Sequence, residues 1–167
     1  SLKRSGYSCF ILDGLNYNLS FEVMSEAMLL NMPSLFTGFS VFMNNIKNTV
    51  KMVRLFREKG YKGHITLGGM WPSFKYREIL SQIKEVDTIC VGEGEEFVTE
   101  LADCLCEGKN FTHIGGLATR EKTGTVIFNR KSLKDNIDDL PVPDRRGYYF
   151  DIIKDRDEIS ILFSRGC

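Results

Sequence analysis

Two short apolar segments, His64-Ile-Thr-Leu67 and Thr88-Ile-Cys-Val91, each end at glycine and are followed by a segment of helical character. The first continues into Gly68-Gly69 and the second into Gly92-Glu93-Gly94. A strand that ends on glycine can bring its backbone close to a ligand, because no Cβ intervenes and φ can be positive. Glycine is also common in tight turns that bind nothing. The stretch predicts two strand–turn–helix units whose turns are candidate lips of one cleft.

The same alternation extends upstream and downstream of this stretch. Apolar segments at 7–12 and 35–41 predict two further strands, and helices are predicted at about 20–31, 45–59, 74–83 and 95–107. This order predicts an α/β domain with a doubly wound parallel sheet and helices on both faces. The nearly continuous apolar character of 35–41 predicts a strand buried on both faces. Ligands of such sheets bind beyond the carboxyl ends of the strands.

The pattern changes after Gly108. Segments 114–120 and 124–129 predict a β-hairpin, and the polar, proline-bearing stretch 131–157 predicts an extended linker. A last apolar segment leads into Ser164-Arg-Gly-Cys167. The predicted organisation is therefore an α/β domain at 1–109, a hairpin extension at 110–130, the linker at 131–157 and the beginning of a further domain at 158–167.

Composition argues against several classes of function. The chain has 167 residues with 22 basic and 22 acidic side chains, so it lacks the positive charge on which nucleic-acid binding depends. No apolar run reaches the roughly 18 residues of a membrane helix, and the five cysteines, an odd number, give no disulfide framework. We expect a cytoplasmic protein. No local motif combines a nucleophile with a histidine and an acid, so catalysis within these residues is not predicted.

Six motifs together resemble the cobalamin-binding domain that precedes the catalytic barrel in class B radical S-adenosylmethionine enzymes. They cover nearly the whole chain and occur in the family's order. They are Gly38-Phe39-Ser40; Gly68-Gly69 with Pro72-Ser73; Asp87 with Gly92-Glu93-Gly94-Glu95; Ile114-Gly115-Gly116-Leu117; Leu140-Pro141-Val142-Pro143-Asp144-Arg145; and Ser164-Arg165-Gly166-Cys167. The resemblance implies a flavodoxin-like (Rossmann-like) fold that holds the nucleotide tail of cobalamin in a slot beyond the strand ends.

The resemblance also implies which residues bind cofactors. The implied cobalamin-binding residues are Gly38, Ser40, Asn44, Gly68, Gly69, Gly92, Glu93 and Gly94. Ser40 and Asn44 are similar to the GxSxxxT pattern of methionine synthase, with asparagine in place of threonine, and could donate to the base or ribose. Cys167 looks like the first ligand of the CxxxCxxC motif, which binds a [4Fe–4S] cluster and S-adenosylmethionine in the full-length protein.

The resemblance sets three further expectations. The chain is expected to be a fragment that is not catalytic by itself, with the radical S-adenosylmethionine barrel in cis beyond Cys167 carrying methyl transfer or radical oxidoreductase or cyclase chemistry. The first, central strand of the flavodoxin-like sheet is expected to be missing, which would allow a homodimer by strand exchange. No DxHxxG motif is present, so no histidine of this chain is expected to ligate cobalt.

Two alternatives stay open at this stage. The domain could be a cobalamin-free scaffold or dimerisation module of the same enzyme class. It could also be a dinucleotide-binding oxidoreductase, although the loop at Gly92 does not complete G-x-G-x-x-G, because Phe97 follows three residues after Gly94.

Overall fold

The structure is a computed structural model that describes residues 1–13, 19–30, 34–131 and 140. Its regular elements after a 3₁₀-helix at Leu2–Ser5 alternate between helix and strand until the last two strands. They are α1 (Phe21–Leu30), β1 (Phe36–Ser40), α2 (Ile46–Glu58), β2 (His64–Gly68), α3 (Met70–Gln82), β3 (Thr88–Cys90), α4 (Phe97–Cys106), β4 (Leu117–Arg120) and β5 (Val126–Phe128).

The strands form one mixed sheet in the order β1-β2-β3-β4-β5. The pairs β1–β2 and β2–β3 are parallel, and β3–β4 and β4–β5 are antiparallel. The predicted α/β flavodoxin-like class and the predicted hairpin are both confirmed. The hairpin β4–β5 pairs with β3 and so extends the same sheet rather than forming a separate layer.

Helices cover both faces of the sheet, as their apolar patterns predict. Helices α2 and α3 pack on one face, where side chains of β2 and β3 that point toward them are fully buried. Helix α4 packs on the other face through Phe97 and Leu101, which meet Cys90 and Leu117. Burying one such large apolar side chain stabilises the fold by about 1.5–3 kcal/mol, so the two clusters fix which face each strand residue occupies. The buried residues of the first face include Val53, Phe56, Ile65, Leu67, Ile79, Leu80 and Ile89.

At the amino-terminal side, one predicted strand is absent, and the strand predicted at 35–41 is present but is not buried on both faces. Residues 7–12 form no strand in the part of the chain that the structure describes, and Phe10 is 62% exposed. An extended segment needs a neighbour for its backbone hydrogen bonds, and none of the described strands pairs with it. Strand β1 is not buried on both faces, since Gly38 and Ser40 are exposed. One edge of β1 has no strand beside it among the described residues, and strand exchange there remains a prediction.

Helix α3 begins four residues earlier than its sequence predicts. The sequence predicts a helix at about 74–83, but α3 begins at Met70 with Gly69 as its N-cap. Pro72 is compatible with this start, because proline in the first turn lacks only an N–H that would have no helical partner.

The predictions for the end of the chain concern residues that the structure does not describe. The linker beyond residue 131, the strand at 158–163 and Cys167 all lie outside the described residues, apart from residue 140. No helix in the described ranges is long and apolar enough to cross a membrane.

Candidate functional site

The carboxyl ends of the three parallel strands lie along one rim of the sheet. Ser40, the last residue of β1, is in register with Gly68, the last residue of β2. Leu67 is in register with Ile89 on β3, so Gly92 follows just beyond the same rim. The register therefore brings the predicted residues of β1, β2 and the β3 turn to one edge, as expected from parallel pairing.

Small side chains line the rim on the face opposite α2 and α3. Side chains alternate along a strand, and Leu67 points into the α2–α3 core, so Thr66 and Gly68 point the other way. A Cβ placed on Gly38 would lie 3.6 Å from Thr66 Cγ2, and one on Gly68 would lie 3.7 Å from Cys90 Cβ. We call this surface the glycine strip; it consists of Gly38, Ser40, Thr66, Gly68, Cys90 and Gly94.

A serine hydroxyl joins the two glycine turns. Ser73 Oγ donates to the carbonyl of Gly69 at 2.8 Å and accepts the N–H of Gly92 at 3.0 Å. One side chain in the first turn of α3 thus fixes the turn after β2 relative to the turn after β3. The predicted lips of the cleft are held together by a contact that the sequence motif Pro72-Ser73 does not reveal.

The glycines of the rim differ in whether the backbone conformation requires glycine at that position. Gly69 has φ 103° and ψ 179°, a conformation open essentially only to glycine, and a Cβ there would lie 2.8 Å from the carbonyl oxygen of Val41. The fold itself therefore requires Gly69. Gly38, Gly68 and Gly94 have no positive φ, and an added Cβ would make only ordinary contacts with protein atoms at 3.6–3.8 Å. Their small size is not required by the backbone.

The polar residues predicted for the site lie at the rim but differ in their surroundings. Ser40 and Glu93 are exposed, and Asn44 is exposed in the turn before α2. The neighbouring Asn45 instead shapes this turn: its Oδ1 accepts the N–H of Phe42 at 2.8 Å and its Nδ2 donates to the carbonyl of Ser40 at 3.1 Å. Asn45 therefore holds the end of β1, while Asn44 presents its amide to solvent beside it.

Cys90 lies under the turn after β3. Burial raises the pKa of its thiol to about 12, with Glu95 and Glu93 adding to the rise and Lys131 opposing it. A thiol held neutral in this way behaves as a small apolar group and is a poor nucleophile or metal ligand. Cys90 is thus part of the floor of the glycine strip. Among the described residues no group of three histidine, cysteine or acidic side chains could hold a metal.

Large apolar side chains stand exposed next to the rim. Met43 is 81% exposed in the turn after β1, and Phe74 is 80% exposed on the first turns of α3. Phe42 and Met70, which follow the same two strands, are also exposed. Four such residues beside two strand ends form an apolar border to the glycine strip, a feature typical of surfaces that contact a ligand or another domain.

At the opposite rim, where the parallel strands begin, charged residues form hydrogen bonds and an ion pair that stabilise the fold. Arg57 donates to the carbonyls of Tyr61, Gly63 and Glu85 and forms a 2.6 Å ion pair with Asp87. Arg120 donates to four carbonyls at the end of α3 and in the following turn: those of Leu80, Ile83, Lys84 and Val86. The motif residue Asp87 is thereby structural, since its Oδ2 also accepts the N–H of Ile65 at 2.7 Å.

His64 lies on the same face of β2 as Thr66, but at the amino-terminal end of the strand, away from the rim. His64 is half-buried, with Nε2 2.8 Å from Thr88 Oγ1 and its ring 5.2 Å from that of Phe111, and burial lowers its pKa. His113 is exposed. One concavity of about 320 Å³ lies beside His64 and another of about 480 Å³ lies between α1 and α2. Neither concavity is lined by a residue of the glycine strip or by another predicted site residue.

Sequence reasoning missed three residues of this region: Thr66, Ser73 as a bridge, and Asn45. Thr66 could have been found from the alternation along β2, which places the side chain between two core positions on the other face. The roles of Ser73 and Asn45 depend on contacts between turns that are distant in sequence, and no local pattern signals them.

Comparison with known proteins supports the fold. No family model matches the chain. An uncharacterized methyltransferase of Pyrococcus horikoshii is 23% identical over 143 residues, which are 86% of this chain and 31% of the relative. The chain therefore spans about a third of the length of the curated relative that it matches.

Solved structures of two radical S-adenosylmethionine enzymes are similar in fold. The methyltransferase TsrM from Kitasatospora setae, with a tryptophan substrate and an S-adenosylmethionine analogue, superposes with a TM-score of 0.66 at 15% identity over 77% of this chain and 25% of that one. The cobalamin-dependent enzyme OxsB, with aqua-cobalamin and S-adenosylmethionine, gives a TM-score of 0.65 at 22% identity over 74% of this chain and 17% of that one. At these identities the similarity concerns the fold.

Proposed function

We propose that this chain is a cobalamin-binding domain of a radical S-adenosylmethionine enzyme. The observation that carries the proposal is the glycine strip, where Gly38, Gly68 and Gly94 remain small although their backbone does not demand it. A flat nucleotide lying against strand ends needs such a surface, because each Cβ would occupy the space of the ligand. The fold shared with TsrM and OxsB, both of which have been solved with cobalamin bound, supports the same conclusion.

The residues of the rim have distinct tasks in this proposal. Gly38, Gly68 and Gly94 form the floor on which the nucleotide lies, and Gly69 and Gly92 shape the turns at its end. Ser40 and Asn44 offer a hydroxyl and an amide to the base or ribose, and Glu93 can accept from a ribose hydroxyl. The exposed apolar border, with Met70 and Phe74 on α3 and Phe42 and Met43 after β1, suits contact with the apolar edge of a corrin ring.

The chemistry of the whole protein would reside outside the described residues. We propose that Cys167 contributes to a [4Fe–4S] cluster that binds S-adenosylmethionine in a barrel in cis. Cobalamin, when bound, supplies a methyl group or a reactive cobalt centre to the substrate. Among the described residues, the buried Cys90 is held as a neutral thiol by its raised pKa. In this proposal the domain binds and orients the cofactor.

Titration of the full chain with hydroxocobalamin tests the proposal. We expect saturable binding at one site, measured through the change in the visible absorption of the corrin. Gly38→Val should weaken binding at least tenfold, since its side chain would fill the strip, while valine remains compatible with a strand. Thr125→Val, in the exposed turn of the hairpin, is the matched control and should bind as the native chain does. Equal affinity of native chain and Gly38→Val would contradict a nucleotide on the strip.

The same titration separates the two alternatives. A cobalamin-free scaffold would give no saturable spectral change. A dinucleotide-binding oxidoreductase would bind a nicotinamide dinucleotide. Its affinity for the dinucleotide would be the same with and without saturating cobalamin, or the chain would not bind cobalamin at all. Competition between the two ligands is therefore measured in the same experiment.

A further inference from the structure

One buried hydroxyl on the glycine strip has no hydrogen-bond partner. Thr66 is 4% exposed, and its Oγ1 finds no donor or acceptor in the described part of the protein. A buried hydroxyl without a partner destabilises the folded state, because it has lost its water and gained nothing in return. Such a group on a binding surface calls for an explanation other than folding.

The other buried hydroxyls of the described ranges are all satisfied. Ser25 donates to the carbonyl of Glu22 at 2.8 Å, Thr49 to that of Asn45 at 3.1 Å and Thr119 to that of Asp87 at 2.8 Å. Thr88, which neighbours Thr66 in register on β3, has its hydroxyl 2.8 Å from His64 Nε2. Among the buried hydroxyls of the described residues, that of Thr66 is therefore the exception.

The position of Thr66 connects this exception to the glycine strip. Thr66 is in register with Gly38 on β1, and its Cγ2 lies 3.6 Å from where a Cβ of Gly38 would be. Two residues further along β2 is Gly68, on the same face. The residue with the unpartnered hydroxyl thus lies between Gly38 and Gly68, two small residues of the strip, and it is the buried hydroxyl of that surface.

We propose that the hydroxyl of Thr66 forms a hydrogen bond with the nucleotide portion of the cobalamin, and this inference rests on the proposed function. A hydroxyl can donate and accept, so its partner is a ring nitrogen of the base or an oxygen of the ribose. The hydroxyl hydrogen-bonds to water in the unfolded chain and loses that bond on folding. In this arrangement it regains a hydrogen bond only when the ligand is bound. Thr66 is then a positioning residue that favours a corrinoid with a nucleotide over one without it.

Thr66→Val in the full chain, with Thr88→Val as the matched control, tests the inference. Both replacements keep the shape of the side chain and remove a buried hydroxyl on the same face of the sheet. We expect Thr66→Val to raise the thermal unfolding midpoint of the ligand-free chain, because an unsatisfied group is removed, and Thr88→Val to lower it, because the bond to His64 is lost. A merely structural role of Thr66 would give the opposite sign.

Binding supplies the second readout. Trp71, at the start of α3 beside the rim, is the one tryptophan of the chain, so quenching of its fluorescence reports a nearby corrin after correction for absorbance. We expect Thr66→Val to weaken cobalamin binding about fivefold and to leave the binding of cobinamide, which lacks the nucleotide, unchanged. Thr66→Ser, which retains the hydroxyl, should restore most of the affinity. A cobamide with adenine as its base distinguishes the partner, since an equal loss with both bases assigns the bond to the ribose.

The outcomes separate the two proposals. If the native chain binds neither cobalamin nor cobinamide, both the proposed function and the Thr66 contact are refuted. If the native chain binds cobalamin, but Thr66→Val binds it equally well or loses affinity for cobinamide to the same extent, only the Thr66 contact is refuted. A lower unfolding midpoint for Thr66→Val would likewise overturn it.

Discussion

Replacing Gly68 and Gly69 by alanine, one at a time, should have opposite effects on stability although the residues are adjacent. Gly68→Ala should leave the fold slightly more stable and weaken cobalamin binding. Gly69→Ala should destabilise the fold and affect binding only through that loss. The contrast follows from the backbone, because Gly69 has φ 103° whereas Gly68 has no positive φ.

The magnitudes can be worked out from the contacts of each added methyl group. Alanine at position 69 would occupy a region whose strain is about 1–3 kcal/mol. Its Cβ would also lie 2.8 Å from the carbonyl oxygen of Val41, whose N–H is bonded to Gly68 at 2.8 Å, so the backbone cannot move away freely. We therefore expect a loss near the upper limit, about 3 kcal/mol, or a midpoint lowered by about 9 °C in a chain of this size.

Gly68→Ala adds a methyl group that touches only Cys90 Cβ, at 3.7 Å. Reduced freedom of the unfolded chain should stabilise the fold by about 0.4–1 kcal/mol. The same methyl group projects into the glycine strip, where overpacking against a bound nucleotide should reduce affinity about tenfold, equivalent to about 1.4 kcal/mol.

Thermal unfolding of the ligand-free variants and titration with hydroxocobalamin well below their midpoints measure the two effects separately. If Gly68→Ala destabilises the chain as much as Gly69→Ala does, the distinction between the glycines is wrong. If Gly68→Ala is stable and binds cobalamin with native affinity, the ligand does not occupy the strip.

Three further predictions follow from the contacts around the sheet. Ser73→Ala should lower the free energy of unfolding by about 1–2 kcal/mol in urea denaturation, because both turns lose a hydrogen bond; a change below about 0.5 kcal/mol would contradict its bridging role. The pKa of about 12 at Cys90 predicts that iodoacetamide near about pH 8 modifies the exposed Cys106 and spares Cys90 in peptide mass spectrometry, and comparable labelling would refute this. Burial lowers the pKa of His64 from 6.5, so the unfolded state binds the proton more readily, and stability should be full above about pH 6.5 and decline as the pH falls below it. Thermal unfolding should show a weaker decline in His64→Gln and the native decline in the control His113→Gln.

The sequence predicts the fold well where periodicity and pairing agree. The helix α2 has apolar residues on one face, and the structure buries Val53 and Phe56 of that face. The strands at His64 and Thr88 are bounded by glycine turns and are confirmed. The segment 7–12 has the same apolar character but is no strand, because a strand exists only with a neighbour and local composition carries no information about neighbours.

The candidate site is predicted only in part for a similar reason. Parallel pairing explains why Ser40 and Gly68 meet at one rim, and the sequence suffices for that inference. It does not tell which glycine serves the backbone and which leaves space, since that distinction depends on φ and on the atoms a Cβ would meet. Gly69 and Gly68 are indistinguishable in sequence, yet the first is required by its conformation and the second is not.

The two faces of the sheet differ in side-chain packing and in whether their buried polar groups have hydrogen-bond partners. On the α2–α3 face, Ile65, Leu67 and Ile89 are fully buried and tightly surrounded. On the other face, Gly38 forgoes the side-chain packing that strands normally gain, at about 0.5–1 kcal/mol relative to alanine, and Thr66 buries a hydroxyl without a partner. Departures of this kind usually mark a functional surface when they are gathered in one place. Since Gly38 and Thr66 are adjacent in register, two residues before the rim residues Ser40 and Gly68, we infer that a bound ligand completes this face of the sheet.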